Sequence, residues 1–154
     1  MTKVYSEKLR DIRTYFGYSQ REVAEAIGVK RNLYTEWEIY RTIIPLKHLV
    51  SLANFYKFNI DYLLGLTEQQ KSIDNIKFDI DKACLRLKEI RAELKLSVRD
   101  FAKELKVSKS TISRYEKGTT IVSTSVCYNI ARKYNISVDY IIGATNQKYI
   151  IKAS

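Results

Sequence analysis

Proline occurs once and glycine five times in 154 residues. So few breakers exclude a turn-dense β architecture, which needs such residues at each chain reversal. Histidine occurs once and cysteine twice. Cys84 and Cys127 lie far apart in apolar-periodic stretches, so neither a Cys/His metal cluster nor a disulfide framework can be built from them. They read as reduced core thiols. No apolar run approaches the roughly 18 residues needed to cross a bilayer. The opening Met1-Thr2-Lys3-Val4-Tyr5 has no signal-peptide core. The expectation is a cytoplasmic protein with no metal, no cofactor and no membrane partner.

What is present is apolar and basic. Hydrophobic residues make up 45% of the chain, enough for a packed core, and the net charge is +10. An excess of positive charge on this scale suits a polyanionic partner, with nucleic acid the first candidate, or else serves solubility.

A shift of 78 positions superposes the two halves without a gap: Leu9-Arg10-Asp11-Ile12-Arg13 falls on Leu87-Lys88-Glu89-Ile90-Arg91. Ser19, Ala24, Val29, Glu38 and Ala53 fall on Ser97, Ala102, Val107, Glu116 and Ala131, and Asp61-Tyr62 falls on Asp139-Tyr140. Two copies are too few for a solenoid, so they read as two globular units. The boundaries are 1–67 for the first unit, 68–81 for a linker, 82–145 for the second unit and 146–154 for a tail.

Each unit reads as five short helices. Ser19-Gln20-Arg21-Glu22 is a capping box that opens helix two, whose apolar stripe is Val23, Ala24 and Ile27. Helix three spans Arg31 to Glu38. Pro45 fits the first turn of helix four. Ile60 to Leu64 closes the unit. In the second copy Ser97, Ser108 and Ser137 are expected N-caps. Small Ala24 and Ala102 let helix three pack closely across helix two, which makes a helix-turn-helix. Ile112 and Tyr115 then face inward, leaving Lys109, Ser110, Ser113 and Arg114 outward.

The run Val107-Ser108-Lys109-Ser110-Thr111-Ile112-Ser113-Arg114-Tyr115-Glu116-Lys117-Gly118 resembles the recognition helix of the lambda-repressor and Cro-like regulators, the XRE family. Ser19-Gln20-Arg21-Glu22-Val23-Ala24 resembles the opening of that family's second helix, and Asp61-Tyr62-Leu63-Leu64-Gly65 its closing helix. The resemblance implies an all-α chain of two tandem five-helix lambda-repressor-like DNA-binding domains, joined here by a partly helical linker. It implies a sequence-specific regulator of transcription, expected to be a repressor, that reads the major groove of double-stranded DNA, with a homodimer as the usual working form. By position, Lys109, Ser110, Ser113 and Arg114 would read bases, with Arg31, Asn32 and Thr35 their counterparts in the first copy. Arg99, Lys117, Thr119, Gln20 and Arg21 would hold phosphates. Family members often join the positions of Arg13 with Glu38, and of Arg91 with Glu116, in a partly buried ion pair. That pair either orients helix three or is an ordinary surface contact.

The copies are unequal. Residues 1–67 carry +3, residues 68–81 carry −2 and residues 82–154 carry +9. Glu36 stands where the second copy has Arg114, Lys30 replaces the Ser108 cap, and Tyr40 replaces Gly118. A left-handed turn is costly for tyrosine. The run Ile39-Tyr40-Arg41-Thr42-Ile43-Ile44 is apolar for an exposed loop, which marks either a protein interface or a loop packed on its own domain. The second unit is therefore expected to be the main DNA reader, and the first to read weakly or to serve assembly. Apolar residues at 73, 76, 80, 83 and 84 suggest helix in the linker. Fourteen residues would reach roughly 46–50 Å extended but about 21 Å as helix, against half-sites about 34–36 Å apart. That favours a homodimer with one reader from each chain.

Nothing points to an enzyme. His48 has no nucleophile or metal partner nearby in sequence, and no phosphate-cradling glycine loop exists. The competing reading is a protein-binding module, such as an antitoxin or a phage-encoded inhibitor, using the same fold.

Overall fold

The computed structural model describes residues 3–151; Met1, Thr2 and residues 152–154 of the tail lie outside it. Its described residues form ten helices and two isolated β-bridges. None of the helices is long and apolar enough to cross a membrane. The chain divides into two units. One holds the residues up to Ile76 together with Ile150 and Ile151, and the other holds Lys77–Tyr149.

The first unit contains α1 (Val4–Tyr15), α2 (Gln20–Ala26), α3 (Arg31–Glu38), α4 (Leu46–Tyr56) and α5 (Ile60–Leu63). On α1, Tyr5, Leu9 and Ile12 fall at helical spacing and are buried. They meet Tyr34 and Trp37 of α3 and Leu49, Leu52 and Ala53 of α4 in one apolar core. The second unit repeats the order with α6 (Ile80–Glu93), α7 (Val98–Leu105), α8 (Lys109–Lys117), α9 (Thr124–Tyr134) and α10 (Val138–Ile141).

The two units hold their helices differently. In the second, side chains of Asp79, Ser97, Ser108, Ser123 and Ser137 each accept an amide at a helix start. Among the described residues of the first, only Ser19 does so, in the expected capping box with Glu22. Each such cap contributes about 1 kcal/mol. The first unit relies instead on larger core side chains. Tyr5, Tyr34 and Trp37 are fully buried there, where the second has Ala83, Ile112 and Tyr115. Buried rings of this size add contact area that the capped helices do without.

In both units a cation on the first helix covers the ring of the closing helix. Lys8 Nζ lies 4.0 Å from the Tyr62 ring centre and the Arg86 guanidinium 4.0 Å from that of Tyr140. Lys8 and Arg86 are related by the same 78-residue shift, as are Tyr62 and Tyr140, so the repeat held this signal although the pair went unnoticed in the sequence.

Some boundaries differ from expectation. Pro45 is the N-cap of α4, with the helix starting at Leu46. Ile27 caps α2 and is only half-buried, and α5 ends at Leu63. The larger difference is the stretch read as a linker. Residues 73–79 are not helical; helix begins at Ile80. Ser72 bridges Phe58, and the Ile73 amide donates to the Lys57 carbonyl at 3.3 Å. The Asn54 side chain then holds Ile76 from both sides: its Nδ2 donates to the Ile76 carbonyl at 2.9 Å, and its Oδ1 accepts the Ile76 amide at 2.6 Å. Backbone groups satisfied in this way have no need of a helix. Residues 68–76 thus belong to the first unit and 77–81 to the second.

Candidate nucleic-acid interface

In the second unit α7 and α8 form the helix-turn-helix. Phe101, Ala102 and Leu105 of α7 are buried against Ile112 and Tyr115 of α8. The turn between them is made by Lys106 in the left-handed conformation and by Ser108, whose Oγ accepts the Thr111 amide at 3.1 Å. Burying Ile112 and Tyr115 at a spacing of three leaves one row of α8 outside. Lys109, Ser110 and Arg114 are exposed on it, and Ser113 is half-buried.

Among the described residues, none of Lys109, Arg114, Lys117 and Arg99 takes part in an ion pair. The nearest constraint on Arg114 is a 3.4 Å contact from Nη2 to Thr111 Oγ1. Thr119, expected at a phosphate, uses its hydroxyl to donate to the Arg114 carbonyl at 3.2 Å, which closes the end of α8. Gly118 ends the helix at φ +76°, and a Cβ there would sit 3.1 Å from Cys84 Sγ. Backbone and packing both call for glycine at this position.

The Arg91 Nε donates to Glu116 Oε1 at 2.9 Å, and its Nη1 donates to the Leu96 carbonyl at 3.0 Å. These bonds tie α6 to both α8 and the start of the α7 turn.

The first unit repeats the frame with a tighter network. Arg13 donates through Nε and Nη2 to the two Glu38 oxygens at 2.7 and 2.9 Å, and through Nη1 to the Tyr18 carbonyl at 2.9 Å. Burial pushes the Glu38 carboxyl up, but hydrogen bonding, led by Arg13, outweighs it and holds the group below the usual carboxylate range. Gln20 Nε2 lies 3.3 Å from Glu38 Oε1, and Gln20 Oε1 accepts the Thr35 hydroxyl at 2.9 Å. Gln20 and Thr35, expected to contact DNA, are therefore bonded to each other. The second copy has Val98 and Ser113 at these positions and no such link.

Arg21, Arg31 and Asn32 are exposed. Glu36 accepts the Thr42 hydroxyl at 3.3 Å. Tyr40 adopts φ +59°, so it keeps the left-handed turn that glycine takes in the other copy. Its ring packs edge-on to Tyr5 at 5.8 Å, and the Tyr5 hydroxyl sits 3.4 Å from both the Thr42 carbonyl and the Ile44 amide. The run from Ile39 to Ile44 is thus partly folded onto its own unit. Ile44 is fully buried, while Ile39 and Ile43 remain 57% and 38% exposed. Leu33, on α3 itself, adds a third exposed apolar side chain at 39%. Leu33 is not among the sequence-predicted site residues, although Thr111 at the matching position in the second copy makes the contrast visible. The His48 ring lies 5.4 Å from that of Trp37, tilted by 33°, and is kept easier to deprotonate than usual by burial and by Lys47.

The sequence profile of the helix-turn-helix family matches the chain twice, at residues 9–63 and 87–141, in the same 78-residue register as the repeat. The chain is 36% identical over 76 residues to the SPbeta prophage-derived uncharacterized HTH-type transcriptional regulator YonR of Bacillus subtilis (strain 168), covering 49% of this chain and 70% of that protein. It is 35% identical over 65 residues to the uncharacterized HTH-type transcriptional regulator YobD of the same organism, covering 42% and 58%. It is 37% identical over 57 residues to the antitoxin PezA of Streptococcus pneumoniae serotype 4, covering 37% and 36%. No solved structure matches.

Proposed function

The chain belongs to the helix-turn-helix family, and on that premise we propose that it is a sequence-specific double-stranded DNA-binding regulator of transcription whose principal reader is α8. One observation carries this reading: Lys109, Ser110 and Arg114 form an exposed row on a serine-capped helix, with both cations outside any ion pair among the described residues. A helix of this kind fits the major groove. Arg or Lys there pairs with guanine, and residues at the helix start reach base edges first. Lys117 and Arg99 flank the row as phosphate contacts. The Arg91–Glu116 pair sets the angle at which α8 is presented.

The first unit plays the lesser part in reading. Its Gln20 and Thr35 are bonded together, Glu36 opposes phosphate, and its charge is +3 against +9 for residues 82–154. Repression, action in the cytoplasm and a homodimer complete the proposal. Selection of bound sites from random duplex DNA tests it. One selected half-site per chain, bound with a steep loss of affinity as salt rises, supports the reading. No enriched sequence overturns it.

A second reading is favoured by one feature of the first unit. Leu33, Ile39 and Ile43 stand exposed around α3 beside Glu36, a surface suited to a protein partner with a basic, apolar face. One relative of the chain is named an antitoxin. Co-purification of a partner that is lost on Ile39→Asp, with operator binding retained, assigns that surface to the partner and leaves α8 to the DNA.

A further inference from the structure

In the first unit α1 ends on two rings that the repeat lacks. Tyr15 is 83% exposed and Phe16 42%, where the second unit has Glu93 and Leu94. From there the rings continue inward: Tyr15 to Phe16 at 5.2 Å, Phe16 to Phe58 at 5.9 Å and Phe58 to Tyr62 at 5.3 Å. The four rings, together with Lys8 and Asp11, line a cleft of about 350 Å³. Gln70 lines it too, donating from Nε2 to the Tyr62 hydroxyl at 2.8 Å.

The second unit differs in polar contacts at the same place. Arg86 covers Tyr140 and donates to the carbonyls of Tyr140 and Thr145 and to Asn146 Oδ1. Lys148 pairs with Glu93 across the end of α6. In the first unit the segment after α5 is one residue longer. Asn59 pairs with Lys71, whereas Ser137, 78 positions on from Asn59, pairs with Lys148, only 77 on from Lys71. Gln70 lies in the lengthened stretch. Exposed Tyr15 and Phe16 take the place of the ion-paired Glu93 and its apolar neighbour.

Small-molecule sites are concave, roughly 300–1,000 Å³, and mostly apolar with a few polar groups. This cleft has that make-up. Aromatic walls accept flat partners by offset stacking or edge-to-face contact. The single positive and single negative group, Lys8 and Asp11, offset each other, so neither a cationic nor an anionic ligand gains from net charge. The Asp11 carboxylate and the Gln70 amide offer an acceptor and an amide group to a ligand's edge. We propose that the cleft binds an uncharged, planar aromatic small molecule bearing a polar hydrogen on its edge. No lining residue belongs to α2 or α3, so the site does not overlap the helix-turn-helix of its own unit.

Indole is the probe, with tryptamine and indole-3-acetate as its cationic and anionic counterparts, titrated into the full chain and followed by amide chemical shifts. Saturable indole shifts confined to the cleft are expected, with neither charged compound binding tighter. Y15E/F16L carries the second unit's own residues, and it should weaken indole about tenfold, the scale of lost ring contacts. Should that variant lose its dispersed spectrum, exposed Gln70→Ala serves instead, with about a threefold loss expected for one hydrogen bond. Shifts that do not saturate or that scatter beyond the cleft, unchanged affinity in the folded variant, or tighter binding of either charged compound overturns the proposal.

Discussion

The Arg13 guanidinium grips both oxygens of Glu38, at 2.7 and 2.9 Å, with the carboxylate side chain only 2% exposed. Arg91 and Glu116 meet in the matching place through one 2.9 Å bond, with the carboxylate 9% exposed. Removing one partner of a buried pair leaves an uncompensated charge, which costs about 3–5 kcal/mol. Arg13→Ala should therefore destabilise the first unit by about 3 kcal/mol. Arg91→Ala should cost the second unit less. Urea unfolding followed by Trp37 fluorescence for the first unit, and by amide exchange for both, checks the order.

Acid should act on the same pair. The Glu38 carboxyl is held below its ordinary value chiefly by Arg13, against the opposing effect of burial. A depressed carboxylate stabilises the fold above its unfolded value, about 4.3, and that contribution is lost as pH falls through the folded value. Wild type should exceed Glu38→Gln in stability at neutral pH, and the gap should close progressively below about pH 4. A gap independent of pH would show that the charge on Glu38 contributes nothing.

Arg114→Ala should lower affinity for a selected operator by about tenfold or more and relax the preference at one base pair, as loss of a bidentate arginine–guanine contact does. Lys117→Ala should weaken all sequences alike and reduce the salt slope by about one. Arg31→Ala should cost distinctly less than Arg114→Ala; charge reversal at Arg114 should lower affinity, whereas charge reversal at Glu36, which removes a negative charge opposing phosphate, should leave it unchanged or raise it. Equal losses from Arg31 and Arg114 would end the case for unequal units. Fluorescence anisotropy at several salt concentrations measures all five variants.

Gly118→Ala should destabilise the second unit by about 1–2 kcal/mol, the cost of a left-handed residue with a side chain. The added Cβ must also displace Cys84 Sγ from 3.1 Å. Gly28→Ala, with a similar φ of +74° but nothing within 4 Å of a Cβ, should cost only the backbone part. Thermal melts of the two variants separate packing from conformation.

The helices with serine caps were legible residue by residue. Ser19, Ser97, Ser108 and Ser137 each bond an amide three residues on, and a bond that short in sequence is written into the local pattern. The apolar spacing of Ile112 and Tyr115 likewise named the buried face of α8, and therefore its outward row. Ser123 was missed, although it caps α9 in the same way.

By itself the sequence determined two like five-helix units, their register and the outward face of the stronger reading helix, because caps and helical periodicity act over three or four residues. Only the tertiary structure decided the rest. Periodicity at 73, 76, 80 and 83 tracks burial, complete at Ile76 and Ala83 and partial at Ile73 and Ile80, but not which groups satisfy the backbone; Asn54 and Lys57 take that role and keep 73–79 out of a helix. Tyr40 stays left-handed because Tyr5, 35 positions away in the sequence, packs against its ring and brackets Thr42 and Ile44. The Gln20–Thr35 bond and the open ring cleft likewise depend on residues that meet only once the helices pack.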